Sequence, residues 1–237
     1  MDLSRDKQGR ILQADCRAGL KAGNLAVMKS VEIHTLGAAL AEDAFALASR
    51  NFATQSSLHV ALAADVDEYR SYLRPTFFDD VNDGLSLAAT DRHSGDLVGI
   101  LIVRDFLKQR FAGDLPFQHR FDPVTALFEA LEEQYLRERS LTPGEALLVD
   151  MAAVAPSHTG RGIYQALRCE ISARARSAGY GYTIGELTST ATQRVVLEKL
   201  RHRKAAEIIP AAFTYDGRRP FAAVTDPAVI VLTEEVL

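Results

Sequence analysis

Val154-Ala155-Pro156-Ser157-His158-Thr159-Gly160-Arg161-Gly162 is the stretch on which the fold turns. Upstream of it, Ala146 to Val154 is an apolar run with a single charge, Asp150, which is the pattern of a buried strand. Downstream, Ile163, Ala166, Leu167 and Ile171 recur at helical spacing, so the reading places a helix from Gly160 to about Ser177. A strand, a short loop with glycines and a helix put unpaired backbone N–H groups at a helix N-terminus. Those groups and the helix dipole favour an anion. Glycine lets the backbone approach that anion closely, and Arg161 adds a positive charge. A pyrophosphate-bearing ligand is the natural partner.

Two common phosphate loops do not fit. A dinucleotide fold needs Gly-x-Gly-x-x-Gly, and the third glycine position here is Gln165. The Gly-x-x-x-x-Gly-Lys-Ser/Thr loop of nucleotide triphosphatases is absent.

Working outward, Val31 to Leu36 alternates as a strand should, and Gly37 to Ser49 is helical and alanine-rich. A second helix is expected from a cap at Asp65 to about Leu73, broken or kinked by Pro75. Leu85–Thr90 and Leu97–Val103 flank a polar, glycine-containing link and read as a hairpin. Asp122-Pro123 is expected to start a helix with aspartate as N-cap and proline at the first position, and Val124, Leu127, Phe128, Leu131 and Tyr135 continue it. Tyr180–Glu186 reads as a strand and Thr190 to about Leu200 as a helix. Ala206–Tyr215 and Ala222–Leu232 read as closing strands around Asp216-Gly217. The resulting fold class is α/β, with helices around a mixed sheet. Residues 1–29 are set apart as an N-terminal extension with weak periodicity, and 30–237 as one domain.

Composition narrows the function. Of 237 residues 47% are hydrophobic and 24% charged, with a net charge of −4, so the overall charge makes no case for nucleic acid. No apolar run approaches the length of a membrane span. Cys16 and Cys169 are far apart, and no cluster of residues has metal-ligand spacing, so neither zinc nor another metal is expected. The simplest setting is the cytoplasm, as a monomer or homodimer.

The stretch Val154–Gly162 resembles the coenzyme A loop of the GNAT superfamily of N-acetyltransferases, through Val154, Pro156, Gly160, Gly162 and Ile163. Thr159 stands where that family usually has Arg or Gln, and Tyr164 where it has Gly or Ala. The order of elements over roughly residues 31–235 is similar to the family's too. The helix 122–139 before Ala146–Met151, and Leu187-Thr188-Ser189-Thr190-Ala191-Thr192 before Val196-Leu197-Glu198-Lys199-Leu200, look like its arylalkylamine N-acetyltransferase branch. The resemblance implies a mostly antiparallel sheet splayed at the cofactor strand. It also implies direct transfer of an acetyl group from acetyl-CoA to the primary amine of a small molecule.

The resemblance also implies roles. Ala152, Ala153 and Val154 would hold the pantetheine arm through their backbone, and Thr159, Gly160, Arg161, Gly162, Ile163 and Tyr164 the pyrophosphate. Asp150 is the one ionisable residue in its strand and becomes the candidate base. In insect members of the branch a loop glutamate does this work. The matching position here is Ser56, with His59 close by as a histidine that can titrate. Ser189 and Thr192 match hydroxyls near the thioester, although Ser189 is equally suited to cap the next helix. Leu197 replaces a tyrosine acid found in many members. These departures leave two other readings open: an inactive acyl-CoA-binding or sensing domain, and an acetyltransferase for protein lysines or N-termini.

Overall fold

The computed structural model describes residues 30–108 and 114–237. The proposed extension 1–29 therefore lies outside the described residues. Among the described residues seven strands form one sheet in the order β1-β2-β3-β4-β5-β7-β6. They are β1 (Val31–Thr35), β2 (Leu87–Asp91), β3 (Leu97–Asp105), β4 (Ala146–Val154), β5 (Tyr182–Leu187), β6 (Arg203–Ile208) and β7 (Ile230–Val236). Every neighbouring pair is antiparallel except β4 and β5. The fold is thus the expected mixed α/β sheet, mostly antiparallel.

Helices cover both faces. On one face α1 (Ala38–Gln55), α3 (Val66–Asn82) and α4 (Gln118–Glu138) pack on Ala88, Ile100, Ile102, Met151 and Ala153, and further along on Leu148, Ile184 and Leu232. A short α2 (Ser57–Ala61) lies between α1 and α3. On the other face α5 (Ile163–Ser177) covers Leu87, Ala89, Leu101, Val103, Leu147 and Val149. The approach of α5 to β3 is close: a Cβ on Gly99 would lie 2.8 Å from Ile163 Cγ2. Glycine is what this contact requires. The last helix, α6 (Thr190–Gln193), runs into a π-helical turn, Arg194–Lys199.

Four boundaries differ from the sequence expectation. Pro75 does not end α3, which runs to Asn82. Tyr69, Leu73, Phe77 and Val81 lie four apart on its buried face, and their burial outweighs the hydrogen bond that proline removes. Pro123 lies inside α4 rather than at its first turn, because the helix begins at Gln118. Asp122 is thereby released from capping. The helix after the glycine loop starts at Ile163 rather than Gly160, since Gly160 and Gly162 hold φ of +74° and +85°. The closing strands are β6 and β7. Asp216-Gly217 does form a turn, but its only bridge is Tyr215 to Arg218 within a long connection.

Candidate active site

The site begins with a fork in the sheet. β4 and β5 pair only from Ala146↔Tyr182 to Val149↔Gly185. Beyond that rung β4 stays on β3 as far as Val154, while β5 stays on β7 as far as Leu187. At the same level the ladder between β3 and β4 slips: Ile102 pairs with Met151 and Val103 with Val149. Asp150 is the extra residue of this β-bulge. The slip exchanges the two faces of β4, so Leu148, Met151 and Ala153 share one face while Val149, Ala152 and Val154 share the other. Asp150 sits where the alternation breaks and the strands part.

The glycine loop follows at the end of the same strand. Ala155 N–H donates to Val98 O at 2.9 Å, which ties the loop's start to β3. A short 3-10 turn, Pro156–His158, comes next, and the Thr159 hydroxyl donates back to Pro156 O at 3.0 Å. His158 lies 3.6 Å from Asp91 at the tip of the hairpin. Gly162 is the N-cap of α5 and brings no side-chain cap, so the first-turn N–H groups of the helix remain available to an anion. Thr159, Gly160 and Arg161 are exposed beside them. The Tyr164 side chain turns away from the loop and packs with Leu187 and Val196. Burial raises its hydroxyl pKa, and the charge of Arg168 beside it works in the opposite direction.

A cavity of about 470 Å³ passes through the fork. Residues of helices on opposite faces of the sheet line it: Asp79, Asp80 and Tyr72 of α3 and Asp122 and Phe128 of α4 on one side, Tyr164 and Arg168 of α5 on the other. Asp150, Met151 and Ala152 line its middle. Thr192 and His59 reach the wall as well. Ser189 is not among the lining residues; its Oγ accepts from Thr192 N–H at 3.1 Å as the cap of α6 and lies 2.9 Å from Thr192 Oγ1. His59 Nδ1 is 2.9 Å from Ser56 Oγ, and its ring packs against Tyr69, Phe52 and Phe121. Burial lowers its pKa to about 4, so it stays neutral near pH 7.

Three charged residues here were not singled out from the sequence. Arg104, buried on β3, sets Nε 3.6 Å from Asp150 Oδ1 and Nη2 3.7 Å from Glu132, and its Nη1 donates to the carbonyls of Asp105, Phe106 and Lys108. Asp80 is buried on α3. Burial, then repulsion from Asp150, raise its carboxyl to about 7, against the pull of Arg104 and Lys108. Arg168 has no exposed surface at all. Its side-chain partners are His202 Nδ1, 3.4 Å from Nη2, and the Tyr164 hydroxyl, while its Nε and Nη1 are buried without a close hydrogen-bond acceptor. In the basic run Arg201–Lys204 only His202 is buried, and Arg203 of β6 pairs with Glu234 of β7 at 3.2 Å.

This fold is that of the GNAT N-acetyltransferases. The C-terminal condensation domain of Ebony, solved with β-alanyl-dopamine, superposes with a TM-score of 0.76 at 15% identity, over 87% of this chain and 99% of that one. A mosquito arylalkylamine N-acetyltransferase-like 5b gives 0.74 at 16% identity, over 88% and 100%. A polyamine N-acetyltransferase of Drosophila melanogaster, which forms N-acetylagmatine, gives 0.65 at 16% identity, over 87% and 100%. At these identities the likeness is one of fold. No family model matches the sequence, and no curated protein matches it.

Proposed function

We propose that this chain is an N-acyltransferase that moves an acyl group, in the simplest case acetyl from acetyl-CoA, directly to the primary amine of a small molecule. The observation that carries the reading is the continuity of the fork. One strand ends in a loop suited to pyrophosphate, opens a gap for a thioester arm along Ala152, Ala153 and Val154, and carries Asp150 into a cavity between aromatic and acidic walls. A cavity of about 470 Å³ suits a small acceptor. The acceptors named for the structural neighbours, arylalkylamines and polyamines, are amines of that size.

In this reading the chain supplies three things. The fork aligns amine and thioester. The Asp150–Asp80 pair takes the proton that the ammonium must lose; a carboxyl raised to about 7 is matched to neutral pH. The Thr192 hydroxyl, held by Ser189, faces the developing charge. His59 is neutral and enclosed by aromatic rings, which suits it to shaping the acceptor wall.

The test is calorimetric titration of acetyl-CoA into the wild type and into Gly162→Asp. That variant places a carboxylate and a side chain where φ is +85° and an anion should sit. Micromolar binding by the wild type, weakened at least about 100-fold in the variant, is expected. An absence of wild-type binding would remove the reading.

A further inference from the structure

Arg168 is a buried cation without a counter-charge. Among the described residues no carboxylate pairs with it directly; its side-chain partners are the Tyr164 hydroxyl and His202, whose other ring nitrogen lies 3.5 Å from Glu235. Burial and the Arg168 charge lower the His202 pKa to about 3, so that neighbour is neutral. A guanidinium removed from water with two nitrogens unsatisfied is strongly unfavourable unless something pairs with it. The sequence also makes room for it. A Cβ on Gly185 would lie 2.7 Å from Arg168 Nη1, and glycine inside a strand sacrifices both side-chain packing and backbone entropy. Gly185 is the last rung of β4–β5 pairing, so the guanidinium sits under the apex of the fork, and it lines the cavity there.

The surroundings identify what pairs with it. The coenzyme phosphates belong at Gly160–Gly162, in solvent, whereas Arg168 is six residues further along α5, roughly 9 Å down the axis. An anionic acceptor is disfavoured because its side of the cavity carries Asp79, Asp80, Asp122 and Asp150. The group that reaches the apex from the coenzyme side is the acyl chain.

We infer that Arg168 selects an acyl donor whose chain ends in a carboxylate, of the malonyl or succinyl class. The inference rests on the acyltransferase reading. The carboxylate pairs with the guanidinium where it borders the cavity, a charge-assisted contact away from bulk water. The amine nitrogen forms a bond to the thioester carbonyl carbon and the C–S bond breaks. The ammonium loses one proton through the carboxylate pair to solvent before attack, and the second proton leaves the nitrogen as the C–S bond breaks and ends on the departing thiolate. The products are an amide bearing a free carboxylate, CoA–SH and one proton released to solvent. Arg168 keeps its proton throughout and serves as a specificity residue.

The test is titration of CoA, acetyl-CoA and succinyl-CoA into the wild type and Arg168→Met, with thermal unfolding of both proteins alone. The wild type is expected to bind succinyl-CoA at least about tenfold tighter than acetyl-CoA, about 1.4 kcal/mol. In the variant that ratio should fall to near one while CoA affinity stays the same. The unliganded variant should unfold no lower than wild type, since it loses an unpaired charge; a merely structural arginine would lower the midpoint. Equal wild-type affinity for the two donors overturns the inference and leaves the acyltransferase reading standing, and this comparison needs no variant. If CoA and both esters fail to bind, both readings fall together.

Discussion

Arg104 and Arg168 are both buried and both border the fork, on opposite faces of the sheet. Arg104 is matched by two carboxylates and three carbonyls. Arg168 is matched by a neutral imidazole, a tyrosine hydroxyl and a glycine-shaped space, and by no carboxylate of its own. The difference separates two uses of a buried cation. One is completed by the protein and holds Asp150 and Glu132 in place. The other has no carboxylate of its own, which is the feature that the proposed donor carboxylate would complete.

Removing the two guanidinium groups should therefore have opposite effects. Arg104→Met removes the cation that Asp150 and Glu132 share, and is expected to lower stability by about 3–5 kcal/mol. Chemical denaturation beside Arg168→Met checks this; equal losses in the two variants would erase the contrast. Asp150→Asn keeps the shape of the bulge and removes the charge. It is expected to lower kcat about 100-fold, roughly 2.7 kcal/mol, with KM for the acyl donor unchanged. A stopped assay with a panel of primary amines measures it, and an unchanged kcat would move the base elsewhere in the cavity.

The smallest effect concerns Asp80. Its folded pKa is raised, to about 7, so the folded state binds the proton more tightly than the unfolded chain. The stability this gives is complete below the ordinary carboxylate pKa near 4 and is lost as pH rises through about 7. Asp80→Asn is expected to raise the unfolding free energy at pH 8 by on the order of 2 kcal/mol and to change it little at pH 4. Melting curves across that range decide it. A gain of the same size at both pH values would mean that packing rather than charge is responsible.

Much of the site was legible because it depends on short-range pattern. The glycines at 160 and 162, the apolar strand before them and the helical spacing after them need no partner to be recognised. Asp150 stood out as the lone charge in that strand. The bulge that aims it was not legible, because a register slip exists only between two strands. Asp80 was missed because Pro75 seemed to end its helix, and the apolar face that carries α3 through the proline needs β3 and α1 opposite to make sense. Arg168 was hidden among Ile163, Leu167 and Ile171, whose face was read correctly and whose neighbour was not. A signal was present in Gly185, a glycine inside Tyr182–Leu187, since a bare position in a strand marks something packed closely against it.

The sequence by itself determined the order of the elements and the glycine loop, because backbone conformation, glycine freedom and apolar periodicity act over a few residues. Only the tertiary structure decided which charges meet. The fork brings α3, β3, β4 and α5 to one cavity from positions far apart in the chain. Whether a buried charge there is paired or left waiting depends on distances of a few ångströms across the sheet, which no local pattern encodes.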